Sequence, residues 1–267
     1  MIQKEVAFSN GIAICGDSSS DEVVERVSEI AGPLPLIVTD PPYGGIVDFD
    51  WDKIETAQSH ARWMFDWTKK YSEKLIEGAA FYVWGCIGKP RLRPFFKYID
   101  MVEEQTALKM HNLITWKKKR GYGTPHNFLF TREELAFFVK GNPKKPRLFN
   151  IPYLEQEHGY KGTKNKNKFY PVKSRFYRRT NVWSDVTEIM NRKTHCAQKP
   201  LRLFEIPMEM HTAPGEFVVD LFAGSGACAK AAMNLNRKFV VIEKDPTIFE
   251  KMVDGLVLHE SRIKTAS

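Results

Sequence analysis

The chain has 267 residues, a formal net charge of +8 and a pI near 9.2, enough for one large α/β domain or a domain of about 200 residues with a sizeable insertion. No apolar run approaches a membrane span, and the N-terminal MIQKEVAFSNGIAICGD lacks the basic start and long apolar core of a signal peptide, so a cytoplasmic location and no membrane partner are expected. Positive charge in this excess attracts acidic polymers, nucleic acid first.

In chain order, short apolar strands are predicted at 12–15 (IAIC), 36–39 (LIVT), 79–84 (AAFYVW), 112–116 (NLITW), 135–139 (LAFFV), 217–221 (FVVDL) and 238–242 (KFVVI). Amphipathic helices fall between several of them. Val23, Val24, Val27 and Ile30 share one face after the acid-rich SSSDE, and Trp63, Phe65, Trp67 and Tyr71 populate a second segment. Strands alternating with helices imply an α/β, doubly wound, mostly parallel sheet with ligands outside the carboxyl ends of its strands. Cys15, Cys86, Cys196 and Cys228 are far apart and form no C-x-x-C pair, and no histidines stand at H-E-x-x-H spacing. Reduced thiols and no metal are therefore expected.

One region breaks the alternation. Between Lys140 and Arg179 lie twelve basic residues, among them Lys161, Lys164, Lys166, Lys168, Lys173 and Arg175, against the acids Glu155 and Glu157. Seven aromatics are threaded through it: Phe149, Tyr153, Tyr160, Phe169, Tyr170, Phe176 and Tyr177. Cations for phosphates and rings for exposed bases make this a candidate nucleic-acid surface.

Two strand ends carry the chemistry. LIVTDPPYGG, at 36–45, runs a buried strand into a stiff turn that holds Asp40 and Tyr43 on a corner made rigid by Pro41 and Pro42. The strand FVVDL ends in Phe222-Ala223-Gly224-Ser225-Gly226, and the small-residue helix ACAKAAM begins at once. Glycine there permits a sharp turn and close approach of a ligand. Nineteen residues after Gly224 stands Glu243, at the end of the next strand and spaced to accept hydrogen bonds from both hydroxyls of a ribose. The turn lacks the third glycine of a dinucleotide fingerprint and the lysine of a P-loop, which favours an adenosine without a pyrophosphate; S-adenosylmethionine meets that description.

DPPY after one strand and DLFAGSG after another resemble the amino-methyltransferases of DNA. With DPPY ahead of FAGSG and the basic aromatic stretch between them, the chain looks like the circularly permuted β-class. HCAQKP at 195–200 is similar to that family's His-Pro-x-Gln-Lys-Pro signature, with Cys196 where proline is usual; CGD at 15–17, NVWSDV at 181–186 and ELAFFVKG at 134–141 resemble further family segments. The resemblance implies a seven-stranded, Rossmann-like methyltransferase sheet. Its catalytic half would be 1–140, its target-recognition insertion 141–193 and its S-adenosylmethionine-binding half 194–267. Asp40, Pro41, Pro42 and Tyr43 would form the catalytic turn, the acid and the Pro41 carbonyl holding the target amino group while Tyr43 stacks on an extruded base. In the cofactor half it implies Glu243 at the ribose, Asp17 at the adenine amino group, Phe222 in the adenosine pocket and Lys199 at the methionine carboxylate, with Asp220, Ala223, Gly224 and Gly226 completing the site.

The activity so implied is base-flipping methylation of the adenine 6-amino group in double-stranded DNA, by a prokaryotic or phage-encoded enzyme. A homodimer and a cognate restriction endonuclease are candidate partners. Three alternatives stay open: the 4-amino group of cytosine, for which the family more often carries Ser in place of the acid; an RNA adenine substrate; and a catalytically silent nucleic-acid-binding subunit.

Overall fold

The computed structural model describes residues 1–43, 56–86, 94–123, 125–126, 128–155, 163–165, 168–170, 176–188 and 198–266. His195, Cys196 and Ala197 of the HCAQKP segment lie outside the described residues, as do Glu157, Tyr160, Lys161, Lys166, Lys173 and Arg175 of the basic stretch.

All seven predicted strands form, within one nine-stranded sheet. They are β2 (Gly11–Cys15), β3 (Leu34–Thr39), β4 (Leu75–Gly85), β5 (Leu108–Tyr122), β6 (Phe130–Lys140), β12 (Phe217–Asp220) and β13 (Lys238–Glu243). The added strands are the edges β1 (Lys4–Phe8) and β11 (Val182–Trp183), giving the order β1-β2-β13-β12-β3-β4-β6-β5-β11. From β2 to β4 every neighbouring pair is parallel. β6 runs antiparallel to both β4 and β5. Two short antiparallel ribbons stand apart from this sheet: β7 (Tyr153–Glu155) with β10 (Phe176–Arg178), and β8 (Thr163–Asn165) with β9 (Lys168–Tyr170).

The central strands are apolar on both faces because both are covered, as a parallel sheet requires. Alternation along β3 sends Leu36 and Val38 to one side and Ile37 to the other. Against Ile37 pack α1 (Asp21–Ala31), α2 (Ala57–Lys74) and α3 (Pro94–Gln105), through Val23, Val27, Trp67, Tyr71 and Tyr98. The opposite face is covered by α4 (Arg202–His211), α5 (Ala227–Asn234) and α6 (Pro246–Ala266), through Leu203, Ile206, Ala229, Phe249 and Leu256. Full burial stabilises by about 1.5–3 kcal/mol for each side chain the size of Val or Phe. Local signals set where helices start: the Ser20 hydroxyl caps α1 by accepting from Val23 N, and Thr56 and Ser59 form a reciprocal capping box on α2.

β5 and β6 outrun their neighbour. Gly85, the last residue of β4, pairs with Glu134, and Glu134 pairs with Thr115. The segments Trp116–Tyr122 and Phe130–Glu133 therefore continue as a ribbon past the carboxyl end of β4, by about 14 Å for the four β6 residues at roughly 3.4 Å per residue. Lys117, Lys119, Arg120 and Arg132 are exposed on it. No described helix is long and apolar enough to cross a membrane.

Candidate active site

Adjacent parallel strands deliver the two motif turns side by side. Val219 of β12 is in register with Ile37 of β3. One step further the buried Thr39 hydroxyl donates to Asp220 Oδ1 at 2.8 Å. The same hydroxyl accepts from Leu221 N at 3.1 Å, and Asp220 Oδ1 accepts from Phe222 N at 3.1 Å. Asp220, expected among the cofactor residues, is thus the buried tie between the two turns. Burial pushes its carboxyl up to about 7 against the opposing pull of the Phe222 and Thr39 hydrogen bonds, with the charges of Asp40 and Glu243 adding to the rise.

The glycine turn is built for close approach. Gly224 has φ 51 and open space where a Cβ would stand, while Gly226 has φ 75 and a Cβ there would come within 2.9 Å of Met252. The first position leaves open space, and the second is closed by packing against α6. Ala223 N donates to Ile242 O at 2.8 Å, fixing the turn on the adjacent strand. Glu243 accepts from Gly224 N and Asp245 N, both at 2.9 Å, one on each carboxylate oxygen, and burial raises it above the ordinary carboxylate range. Phe222 is wedged against Trp63 and Trp67 of α2, with ring centroids 5.5 and 5.2 Å away. Asp17 follows β2, whose Cys15 is in register with Glu243. Desolvation works to raise Asp17, but hydrogen bonds from Lys244 and Ser19 outweigh it and bring it to about 2.

At the DPPY turn the structure adds partners that the sequence did not indicate. Lys199, expected beside a methionine carboxylate, places its ammonium on Asp40 Oδ2, on the Tyr43 hydroxyl at 2.8 Å and on Glu133 Oε2 at 3.1 Å. It also lies over the Tyr43 and Trp84 rings, 5.1 and 4.9 Å from their centroids. The Tyr43 hydroxyl has acceptors on two sides, Asp40 Oδ1 at 2.9 Å and Glu133 Oε2 at 3.1 Å. Burial raises it far above its ordinary value, so it stays protonated and donates. Pro41 is buried beside it.

Burial lifts the Asp40 carboxyl and the nearby Glu133 adds to the rise, while Lys199 and Tyr43 oppose both. Desolvation would lower Lys199, but the two carboxylates outweigh it and hold the ammonium above its usual range. Glu133 is drawn down to about 2 because Lys199 and Lys118 overcome its desolvation. Two acids and two cations form one nearly enclosed cluster.

Glu133, Lys118 and Trp84 were not among the residues singled out by sequence. The signal for Glu133 was weak: an acidic pair, Glu133-Glu134, directly ahead of the apolar run LAFFV. Only the reversal of β6 shows that this start lies at the carboxyl end of β4. The pair then splits by alternation, Glu133 toward Lys199 and Glu134 toward the Thr115 hydroxyl at 2.7 Å.

The chain resembles bacterial methyltransferases in sequence and in fold. It is 27% identical over 228 residues to the type II methyltransferase M1.MboII of Moraxella bovis, covering 78% of this chain and 83% of that protein. To M.HpaI of Haemophilus parainfluenzae it is 25% identical over 229 residues, covering 84% and 68%. In fold it is similar to the PvuII DNA methyltransferase, described as cytosine-N4-specific, with a TM-score of 0.69 at 19% identity over 98% of this chain and 95% of that one. The complex of M1.HpyAVI with SAM gives a TM-score of 0.58 at 20% identity, over 91% and 98%. The DNA methylase family of N6- and N4-methyltransferases matches residues 34–254, and the chain belongs to that family.

Proposed function

We propose that this chain transfers a methyl group from S-adenosylmethionine to the exocyclic 6-amino group of adenine at a specific site in double-stranded DNA. The observation that carries the reading is the seam between β3 and β12. There one buried hydrogen bond, Thr39 to Asp220 at 2.8 Å, holds the Asp-Pro-Pro-Tyr turn against the glycine turn. Family membership supports amino-group methylation, and Asp40 in the turn favours adenine over cytosine.

The residues around the glycine turn suit the methyl donor. Gly224 leaves open the space a Cβ would fill, Phe222 offers a ring, and each Glu243 oxygen has spent one lone pair on a backbone N–H, leaving acceptor capacity on both. Phe222, Ala223, Gly224, Gly226 and Glu243 would hold the adenosine, with Asp17 at its adenine amino group. The donor supplies an electrophilic methyl group on a sulfonium. What the protein contributes is the nucleophile's geometry. An aromatic amino group has its lone pair delocalised into the ring, and the nitrogen must become tetrahedral to react. In our reading the Asp40 carboxylate accepts one N–H and the Pro41 carbonyl the other, on a turn that two prolines have already fixed. Asp40 is also the acceptor for the proton that nitrogen sheds. The target nucleotide leaves the duplex stack at a cost of a few kcal/mol, and stacking on Tyr43 restores part of it.

Two surfaces support a DNA substrate. The β5–β6 ribbon extends on the side of the DPPY turn and presents Lys117, Lys119, Arg120 and Arg132. The β7–β10 ribbon exposes Tyr153, Phe176 and Tyr177 and belongs to the recognition segment, proposed as 141–193 between a catalytic half (1–140) and a donor-binding half (194–267). As its relatives are type II methyltransferases, we extend the reading to a cognate restriction endonuclease. Sequencing of modified bases in DNA from cells expressing this chain alone tests the proposal. N6-methyladenine at one short motif is expected, whereas N4-methylcytosine, or methylation confined to RNA, would overturn it.

A further inference from the structure

We propose that Lys199 is a positioning residue that keeps Asp40 an acceptor, and that Glu133 is the counter-acid that takes up the Lys199 ammonium when the target amino group claims Asp40. The inference rests on the methyl-transfer reading above and gives a role to two residues which that reading leaves unused.

An ammonium has three protons, and Lys199 has three oxygen partners: Asp40, Tyr43 and Glu133. Its side chain is 6% exposed, and those of Asp40 and Glu133 are 21% and 14% exposed. A carboxylate this enclosed without a cation would take up a proton, and it could then no longer accept the one that the target nitrogen sheds. Lys199 opposes that. Each Asp40 oxygen keeps a lone pair beside its bond from Lys199 or Tyr43, but once Asp40 takes the nitrogen's proton, an ammonium paired with Asp40 alone would be left as a buried, uncompensated charge.

Glu133 resolves the conflict by geometry. It lies 3.1 Å from both the Lys199 ammonium and the Tyr43 hydroxyl, and its other oxygen is held by Lys118. When a substrate N–H reaches Asp40, the ammonium can lean on Glu133 and Tyr43 with every charge still paired. Among the described residues, the groups facing Asp40 are Lys199, Tyr43 of its own turn, Glu133 from β6 and Asp220 from the end of β12; Lys118 reaches Glu133 from β5. Two acids of the catalytic cluster against two cations leave no net charge to hold in the site.

The test is the pH dependence of kcat for the purified full-length protein on duplex DNA, beside calorimetric binding of S-adenosylmethionine. Variants are Lys199→Met, Lys199→Arg and Glu133→Gln. Removing the cation moves the acidic limb of kcat to higher pH, by about one unit or more, because Asp40 then protonates more readily. Removing the counter-acid moves the same limb to lower pH while lowering kcat about tenfold at pH 7. Lys199→Arg keeps the limb in place, and donor affinity changes by less than about threefold in all three. General damage to the fold would not shift one limb in opposite directions. Limbs that stay put or move together would overturn the inference, as would a tenfold or greater loss of donor affinity in Lys199→Met with the limb unmoved. A wild-type protein that methylates no DNA would instead refute the underlying reading, so the two failures are distinct. If Lys199→Met does not fold, Lys199→Arg and Glu133→Gln still decide: the first must hold the wild-type limb and the second must lower it.

Discussion

Asp220→Asn isolates the seam on which the site depends. Asp220 is 1% exposed, and burial pushes its carboxyl up to about 7 from an ordinary 3.8. The folded protein therefore holds a proton there that the unfolded chain has released throughout the window between those values. Stability from this group is full below pH about 4 and is lost as pH rises through 7, at about 1.4 kcal/mol per pH unit. The whole window is worth about 4 kcal/mol, an upper figure because the enclosed acids Asp40 and Glu243 couple to it. Asparagine keeps an oxygen for the Thr39 hydroxyl and Phe222 N but cannot ionise. Urea unfolding of both proteins at half-unit steps from pH 4.5 to 8.5 gives the difference in stability at each pH. The wild type is expected to fall relative to Asp220→Asn as pH rises, with the variant the more stable by about 2–4 kcal/mol at pH 8.5. A difference that is flat across this range, or one that favours the wild type at high pH, would refute the reasoning.

Asp40→Ala should abolish methyl transfer and leave S-adenosylmethionine affinity nearly intact, as read by tritium transfer beside calorimetry; persistent turnover would remove Asp40 from the chemistry. Glu243→Ala should do the reverse, weakening donor binding by about 1.5–3 kcal/mol for each hydrogen bond lost to the carboxylate, with turnover largely recovered at saturating donor. An unchanged apparent affinity would take Glu243 out of the site. Neutralising Lys117, Lys119 or Arg120 one at a time should weaken binding to all DNA sequences alike and lower the slope of log affinity against log salt by about one unit per phosphate contact. A salt series that leaves the slope unchanged would show that the ribbon does not reach the backbone.

Much of this fold was legible in the sequence because its central strands are short continuous apolar runs and its first helix carries a clear apolar face. The strands from 34 to 39 and from 238 to 243 are buried runs between turn residues, and Val23, Val24 and Val27 mark the inner face of α1. What escaped were elements whose burial comes from neighbours. β1 is a half-exposed edge, and β11 is two residues recruited by pairing with Thr115 and Trp116. In the candidate site, the two motif turns were legible, since DPPY and FAGSG each lie within a few residues. The cluster behind Asp40 was not. Glu133 and Lys199 stand 66 positions apart in sequence, and only the antiparallel return of β6 brings them together. No local pattern records a contact of that kind. Lys199 was expected in the site from its motif, but a motif carries no direction, and the side chain meets Asp40, Tyr43 and Glu133.

The most direct measurement of the central claim is nucleoside mass spectrometry of duplex DNA incubated with the purified protein and S-adenosylmethionine carrying a deuterated methyl group. The seam between the two turns, with Asp40 as acceptor for an adenine amino group, requires deuterated N6-methyladenine to form in the wild type and to vanish in Asp40→Ala. A label found on cytosine N4, or one that survives loss of the Asp40 carboxylate, would contradict it.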